Sequence, residues 1–415
     1  MWGEARGAST LEAMSQQPRF PLFRLLVLTG AIFVSVSSEF LPTGLLPDMA
    51  GDLQVSESRV GLLVTIFAFT VVVSTAPLTV VTRRFSRKWL MVGLLGAFAF
   101  ANVLAAAAPT YEFLVFARIL GGLAHGLFWA VTGPYASRLV PRKQLVRALS
   151  VTNAGGTAAF IIGVPLGAAL GHALGWRVAF VAMAVVVLIF MTLVIVFLPP
   201  VKHRHTLTTG EISLPYHKDR TIPAVIAACI LTVLIILGHN IFSTYIAPWV
   251  IAVPGFSPDA VAGLLFIYGA AGGVGLLLAG IFGDKYPRGA FSVMLGALIM
   301  LMVLISFFGG HQWVVIASLV AWGVAFGGLP SLLHGRALGV ASPRVRDLAA
   351  AALTTSFNLA IGGGALIGGL LLDSFGIAIL PLVNAVLLVA ALAFAIVTDL
   401  RHPHRHSIQD TSGVR

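Results

Sequence analysis

The sequence predicts an all-α polytopic membrane protein, with twelve transmembrane helices in two pseudo-symmetric halves of six. Three observations predict it. Of the 415 residues, 58% are hydrophobic and only 10% are charged. A soluble chain carries about 25% charged residues, so most of this outer surface must face lipid. Apolar runs long enough to span a bilayer recur along the whole chain. Landmarks of the first half also return in the second, about 200 residues later.

Residues 1–21 read as a polar tail in which Met14 is a second candidate start. The first apolar run, from about Leu22 to Leu46, approaches the upper end of the ~17–25 residues a span needs. No small-x-small cleavage site follows it, so it reads as a membrane helix rather than a removable signal. The twelve spans are 22–46, 59–82, 89–108, 112–136, 146–173, 177–198, 221–246, 259–283, 290–309, 312–335, 347–372 and 376–398. Short loops make sequential helices antiparallel neighbours. Residues 199–220 form the one long polar linker and separate a six-helix half at 22–198 from a second at 221–398. Residues 399–415 form a second tail.

Charge fixes the orientation. With both termini in the cytoplasm, 23 of the 26 Lys and Arg residues fall on the cytoplasmic side. The exceptions are Arg59 and Arg177 outside and Arg118 within a span. One missed helix would scramble this bias. The net charge of +11 is thus an orientation signal rather than a nucleic-acid footprint. The single cysteine, Cys229, lies in an apolar run, so the fold contains no intramolecular disulfide.

The repeat has definite landmarks. Arg87 and Arg288 follow the second and eighth spans, 201 residues apart. Pro47 and Pro248 close the first and seventh spans at the same offset. Glycines recur at Gly163–Gly167 and Gly362–Gly364. A parallel six-plus-six repeat is the sign of an alternating-access transporter with its substrate site between the halves.

Four segments carry a family resemblance across about residues 22–398. They are Glu39-Phe40-Leu41-Pro42-Thr43-Gly44-Leu45-Leu46-Pro47, the loop Thr79–Lys88 with its second copy Gly280–Gly289, Arg118-Ile119-Leu120-Gly121-Gly122, and Gly155 followed by Gly163-Val164-Pro165-Leu166-Gly167. The chain resembles the drug:proton antiporter branch of the major facilitator superfamily, including arabinose-efflux-permease-like and chloramphenicol-exporter-like proteins. The resemblance implies a bacterial cytoplasmic-membrane exporter that exchanges a drug-like compound, sugar or nucleoside for protons, working as a monomer. It assigns gating to Arg83, Arg84, Arg87 and Lys88, and to Asp284, Lys285 and Arg288. The first loop departs from the pattern, with Thr79, Arg83 and Ser86 replacing glycine, aspartate and glycine. Gly155, Gly163, Pro165 and Gly167 stand for the antiporter motif of helix 5, with Val164 inserted into the usual Gly-Pro pair. An uptake symporter or facilitator for a sugar or nucleoside is the alternative, and a non-transporting membrane sensor a further one.

An ionisable group inside a span costs roughly 2.5–3.5 kcal/mol and needs a reason. Glu39 and Arg118 each lie about 10 Å below the outer surface at ~1.5 Å per residue. Glu39 is the expected proton carrier and Arg118 its tuning cation; a static ion pair or a substrate-binding carboxylate are the other readings. His125 lies two turns from Arg118 on the same face. With His239 it is a candidate proton relay, against the plain reading of hydrogen-bonded packing residues. Asn240 corresponds to Glu39 across the repeat. Asn240, Tyr245, Phe128, Trp129, Asn153, Asn358 and Trp322 are the expected cavity residues, Tyr245 and Asn358 nearest the substrate.

No nucleotide-binding glycine loop appears, so ATP-driven transport has no carrier here. No hydrolytic triad or HExxH pattern suggests an enzyme, and no cofactor is expected. His402, His404 and His406 with Arg405 read as a solvated tail rather than a metal site.

Overall fold

The structure is a computed structural model that describes residues 20–141, 144–200, 219–282, 287–342 and 345–401. Among these residues, twelve helices are long and apolar enough to cross a membrane. They are α1 (Leu22–Gly44), α2 (Glu57–Val81), α3 (Arg87–Ala106), α4 (Tyr111–Ser137), α5 (Leu145–Ala158 and Val164–Leu174), α6 (Trp176–Phe197), α7 (Ile222–Ser243), α8 (Ala260–Phe282), α9 (Pro287–Phe308), α10 (Gln312–Gly327 and Leu329–Val340), α11 (Arg346–Phe375) and α12 (Leu380–Arg401). Corresponding helices of the two halves start about 200 residues apart, so the duplication read from motifs is structural.

Local chemistry sets the ends. Ser56 caps α2 by accepting from the Arg59 amide, and Thr110 caps α4 by accepting from Phe113. In α2 and at its C-terminal end, the hydroxyls of Thr70, Thr75, Thr79 and Thr82 each donate to the carbonyl four residues back. These residues therefore bring no unpaired hydroxyl into lipid. Gly175 (φ 92°) turns the chain from α5 into α6, and Gly376 (φ 82°) does so between α11 and α12. A side chain would be strained at either position.

The first and seventh spans break alike. Helix geometry stops at Leu45 (φ −116°, ψ 11°) and resumes over Leu46–Leu53; it stops at Tyr245 (φ −107°, ψ 21°) and resumes over Ile246–Ala252. Pro47 and Pro248, expected from the sequence to close the spans, therefore lie instead in the first turns of new segments. Proline is tolerated there because first-turn amides need no helical partner.

Helix α5 contains a π-helical turn, Ala159–Gly163, followed by α-helix from Val164. An extra residue in a helix is absorbed by such a turn. Its position directly before Val164-Pro165 matches the inserted valine.

The halves meet from mid-helix to the end remote from the described chain termini. Ser58 of α2 donates to Asp373 of α11 (2.7 Å), and the Thr65 hydroxyl to the Gly362 carbonyl (2.9 Å). A Cβ on Gly269 of α8 would strike backbone of Phe160 and Ile161 in the π turn. Nearer the terminal end, Ser150, Pro330, Ser331 and Phe357 instead face a central cavity.

Candidate functional site

A cavity of about 730 Å³ lies between the halves. Both contribute walls: Glu39, Phe40, Trp129, Asn153 and Phe160 from one, His239, Asn240, Tyr268, Trp322 and Phe326 from the other. Among the described lining residues, Glu39 is the one carboxylate and there is no Lys or Arg. An apolar pocket with a few convergent polar groups is the usual form of a small-molecule site.

Pro42 explains how Glu39 is framed. Lacking an amide hydrogen, Pro42 leaves the carbonyl of Ser38, four residues earlier, without its helical donor. Arg118 supplies the missing donor: its guanidinium donates to the Ser38 carbonyl (2.9 Å) and the Glu39 carbonyl (2.7 Å). The cation thus clamps the backbone beneath the carboxyl group. It also lies over the Phe67 ring, 4.3 Å from guanidinium carbon to centroid.

The Glu39 carboxyl turns towards α4. Its Oε2 is 3.4 Å from His125 Nε2, and both side chains are buried. His125 Nδ1 lies 3.0 Å from the Ser35 hydroxyl. The Trp129 indole N–H donates to His125 Nε2 at 2.8 Å. Phe67 and Phe98 pack edge-on to the imidazole. Beside them Ser38 and Asn102 bond to each other. Gly121, Gly122 and Gly126 let α4 approach α2 this closely; a Cβ on Gly122 would meet the Phe67 carbonyl.

Opposite Glu39, His239 stacks on Phe326 (3.6 Å between centroids, 7° between planes) and meets the Trp322 ring edge-on. Asn240 lines the cavity and donates to the Ile236 carbonyl. Glu39, Trp129, Asn153, His239, Asn240 and Trp322 therefore gather around one space, with Arg118 and His125 immediately behind its wall.

Three expected lining residues lie elsewhere. Phe128, one residue before Trp129, is rotated about 100° away and packs on Phe98. Tyr245 sits at the break of α7 and points into α11, donating to the Ala365 carbonyl (2.8 Å) between Gly61 and Gly368. The Asn358 amide is satisfied within α11 by the Thr354 carbonyl. The sequence reading missed the hydroxyl groups Ser150, Thr157, Ser243 and Ser331, which no local pattern distinguishes from packing serines and threonines.

The helix-5 motif lies along α1. Cβ atoms on Gly155, Gly163, Gly167 and Gly171 would meet Thr29, Ser37, Leu41 and Leu45 respectively. The spacing is the same on both helices, which fixes their register. Pro165 follows the π turn in the same stretch.

Of the loop residues, Arg84 sits over Phe85 and Lys88 donates to the Ile195 carbonyl (2.7 Å), while Arg87 is buried at the start of α3. The expected gate residues Asp284 and Lys285 and the tail histidines lie outside the described residues, as do the side chains of Arg83 and Arg288.

Comparison with known proteins agrees with this architecture. The family model described as Major Facilitator Superfamily matches residues 28–332 and 228–413. A "Probable sugar efflux transporter" of Helicobacter pylori is 31% identical over 374 residues, covering 90% of this chain and 94% of the relative. One of Mannheimia succiniciproducens is 32% identical over 373 residues, covering 89% and 92%. Among solved structures, an inward-facing bacterial homologue of the human lysosomal transporter Spinster superposes with TM-score 0.75 at 14% identity, covering 92% of this chain and 98% of that one. A nucleoside transporter superposes with TM-score 0.72 at 16% identity, covering 90% and 99%. Twelve duplicated helices around a central cavity, with a matching family model and relatives spanning nearly the whole chain, place this protein in the major facilitator superfamily of membrane transporters.

Proposed function

We propose that this chain exports a small uncharged molecule, a sugar or an amphipathic compound of similar polarity, in exchange for protons. The observation that carries the reading is the cavity's charge pattern. The one carboxyl group on its described wall, Glu39, is framed by a cation that does not line the space. With no Lys or Arg on the described wall, a substrate anion would find no partner. Trp129 and Trp322 put aromatic rings on the wall, and Asn153, Asn240, Ser150 and Ser331 offer hydrogen bonds to hydroxyls. The relatives' names favour sugars.

In this reading the chain lies in the bacterial cytoplasmic membrane as a monomer, with both termini inside. Glu39 carries the proton and Arg118 holds the α1 backbone in place around it. The contacts of Ser58 and Thr65 across the halves close the outer side, and the cavity loads from the cytoplasm. The basic loops then form the inner gate.

A thermal-shift screen of detergent-purified protein tests the substrate class. Its panel holds pentoses and hexoses, nucleosides and purines, phenicols and lipophilic cations. A ligand at a hundredfold excess over its dissociation constant stabilises the folded state by about 2.7 kcal/mol. A shift with the sugars or phenicols supports the reading. A shift confined to the lipophilic cations contradicts the uncharged-substrate assignment.

A further inference from the structure

The geometry points to Trp129 as the residue that links occupancy of the cavity to the proton on Glu39, by competing with that proton for a single lone pair on His125. The inference rests on the reading of Glu39 as the proton carrier and goes beyond it by naming the linking group.

An imidazole Nε2 that accepts a hydrogen bond carries no proton. The Trp129 indole is a donor only and reaches Nε2 at 2.8 Å. Nε2 is therefore the acceptor and Nδ1 carries the hydrogen, which it donates to the Ser35 hydroxyl (3.0 Å). Glu39 Oε2 stands 3.4 Å from the same Nε2, beyond a firm hydrogen bond. Two groups thus face one lone pair, and in this structure Trp129 holds it.

The proton-loaded pair needs that lone pair. A hydrogen on Glu39 can be donated to Nε2, or the O–H bond can break and an N–H bond form at Nε2. The pair carries one proton in either case. Both arrangements require the indole N–H to leave. Conversely, an indole seated on Nε2 favours the pair without its proton. The imidazole cannot evade the competition by turning, because Phe67, Phe98 and Ser35 hold it on three sides. The charged or titratable groups around it are Glu39 of α1 and Arg118 of its own helix. The α2 and α3 groups packed there, Phe67, Phe98 and Asn102, do not titrate.

Trp129 also lines the substrate cavity. A molecule lying against the indole keeps it seated on His125 and so opposes protonation. A proton captured between Glu39 and His125 releases the indole into the space the molecule would occupy. The two ligands then exclude each other, and by linkage each weakens the other's binding equally. Mutual exclusion at one site is the thermodynamic requirement of antiport.

The test uses infrared titration of the purified full-length protein, following the carboxyl stretch that disappears in Glu39→Gln. Trp129→Phe keeps the ring and removes the N–H. Its expected effect is a rise of about one pH unit in the half-protonation point of that band, a tenfold gain in proton affinity. In a His125→Gln background the same substitution should leave the midpoint in place. Indole N–H resonances of the wild-type protein give a second readout. Of the seven tryptophan signals, the one missing in Trp129→Phe should move with the same midpoint as the Glu39 band. An unmoved midpoint in Trp129→Phe, an equal shift without His125, or a Trp129 signal indifferent to pH would each overturn the inference while leaving Glu39 as carrier. Absence of any band sensitive to Glu39→Gln would instead remove the carrier reading, and the inference with it.

Discussion

The smallest feature that shapes this transporter is a missing hydrogen. Pro42 has none on its backbone nitrogen, and the carbonyl thereby released is taken by Arg118. The sequence reading placed Glu39 and Arg118 at one depth by counting residues from helix ends, and they do lie together. It made Arg118 the cation that tunes Glu39 and left a static ion pair as an alternative; in the structure the guanidinium bonds to the carbonyls of Ser38 and Glu39. Residue counting gives depth but not which atom of a residue is met. Lysine at position 118 cannot reproduce a two-pronged donor. Arg118→Lys is expected to lose at least one charge-assisted bond, about 1.5–3 kcal/mol, and to lower the melting temperature of the purified protein. An unchanged melting temperature would show that the clamp adds nothing. Phe128 and Tyr245 were misplaced for a related reason. A helix apolar all round gives no signal that separates its cavity, core and lipid faces.

At the scale of elements, the glycines of α5 explain a motif that resemblance alone had named. Gly155 faces backbone of Thr29 and Phe33, so a Cβ there has no flexible neighbour to displace. Gly155→Ala should destabilise by about 1–3 kcal/mol, as overpacking does. Gly93→Ala, where a Cβ meets nothing within 4 Å, should be neutral or stabilising; chemical denaturation of the two variants compares them. The inserted Val164 was legible against the family's pattern, but the π turn that precedes it was not, because no local residue preference marks where a helix absorbs an extra residue. Near the remote end, the hydrogen bond from Arg177 holds the exposed Asp52 carboxyl below its usual range, with Trp176 assisting. A depressed carboxyl contributes stability above its unfolded value, near pH 4, and loses it as pH falls through the folded value. The contribution is therefore constant from pH 5 to 8. Asp52→Asn should leave the pH profile of transport unchanged there, and a displaced profile in vesicle transport assays would contradict this.

At the scale of the whole molecule, the twelve spans were legible because lipid allows few alternatives to helices, and the positive-inside bias checked their number. The duplication was legible from motifs at equal offsets, and the matching breaks at Leu45 and Tyr245 confirm it in the backbone. The cavity was legible only in part. Its charged and amide groups stood out against apolar surroundings, while its hydroxyls did not. The halves join at the end remote from the termini, where Ser58 meets Asp373 at 2.7 Å. Cysteines at these two positions, with Cys229→Ser, should form an oxidative cross-link that stops transport and is relieved by reductant. Full transport by the cross-linked protein would show that this end need not open.

The central claim is that Glu39 carries the coupled proton. Proteoliposomes holding a pH-sensitive dye report substrate movement and lumenal pH together, with the thermal-shift hit as substrate. In the wild-type protein, a pH gradient should drive accumulation of substrate while the gradient is consumed. Glu39→Gln should keep exchange of labelled for unlabelled substrate, yet lose both gradient-driven accumulation and proton movement. A Glu39→Gln protein that accumulates substrate with its full dependence on the gradient would place the coupling elsewhere and contradict the account.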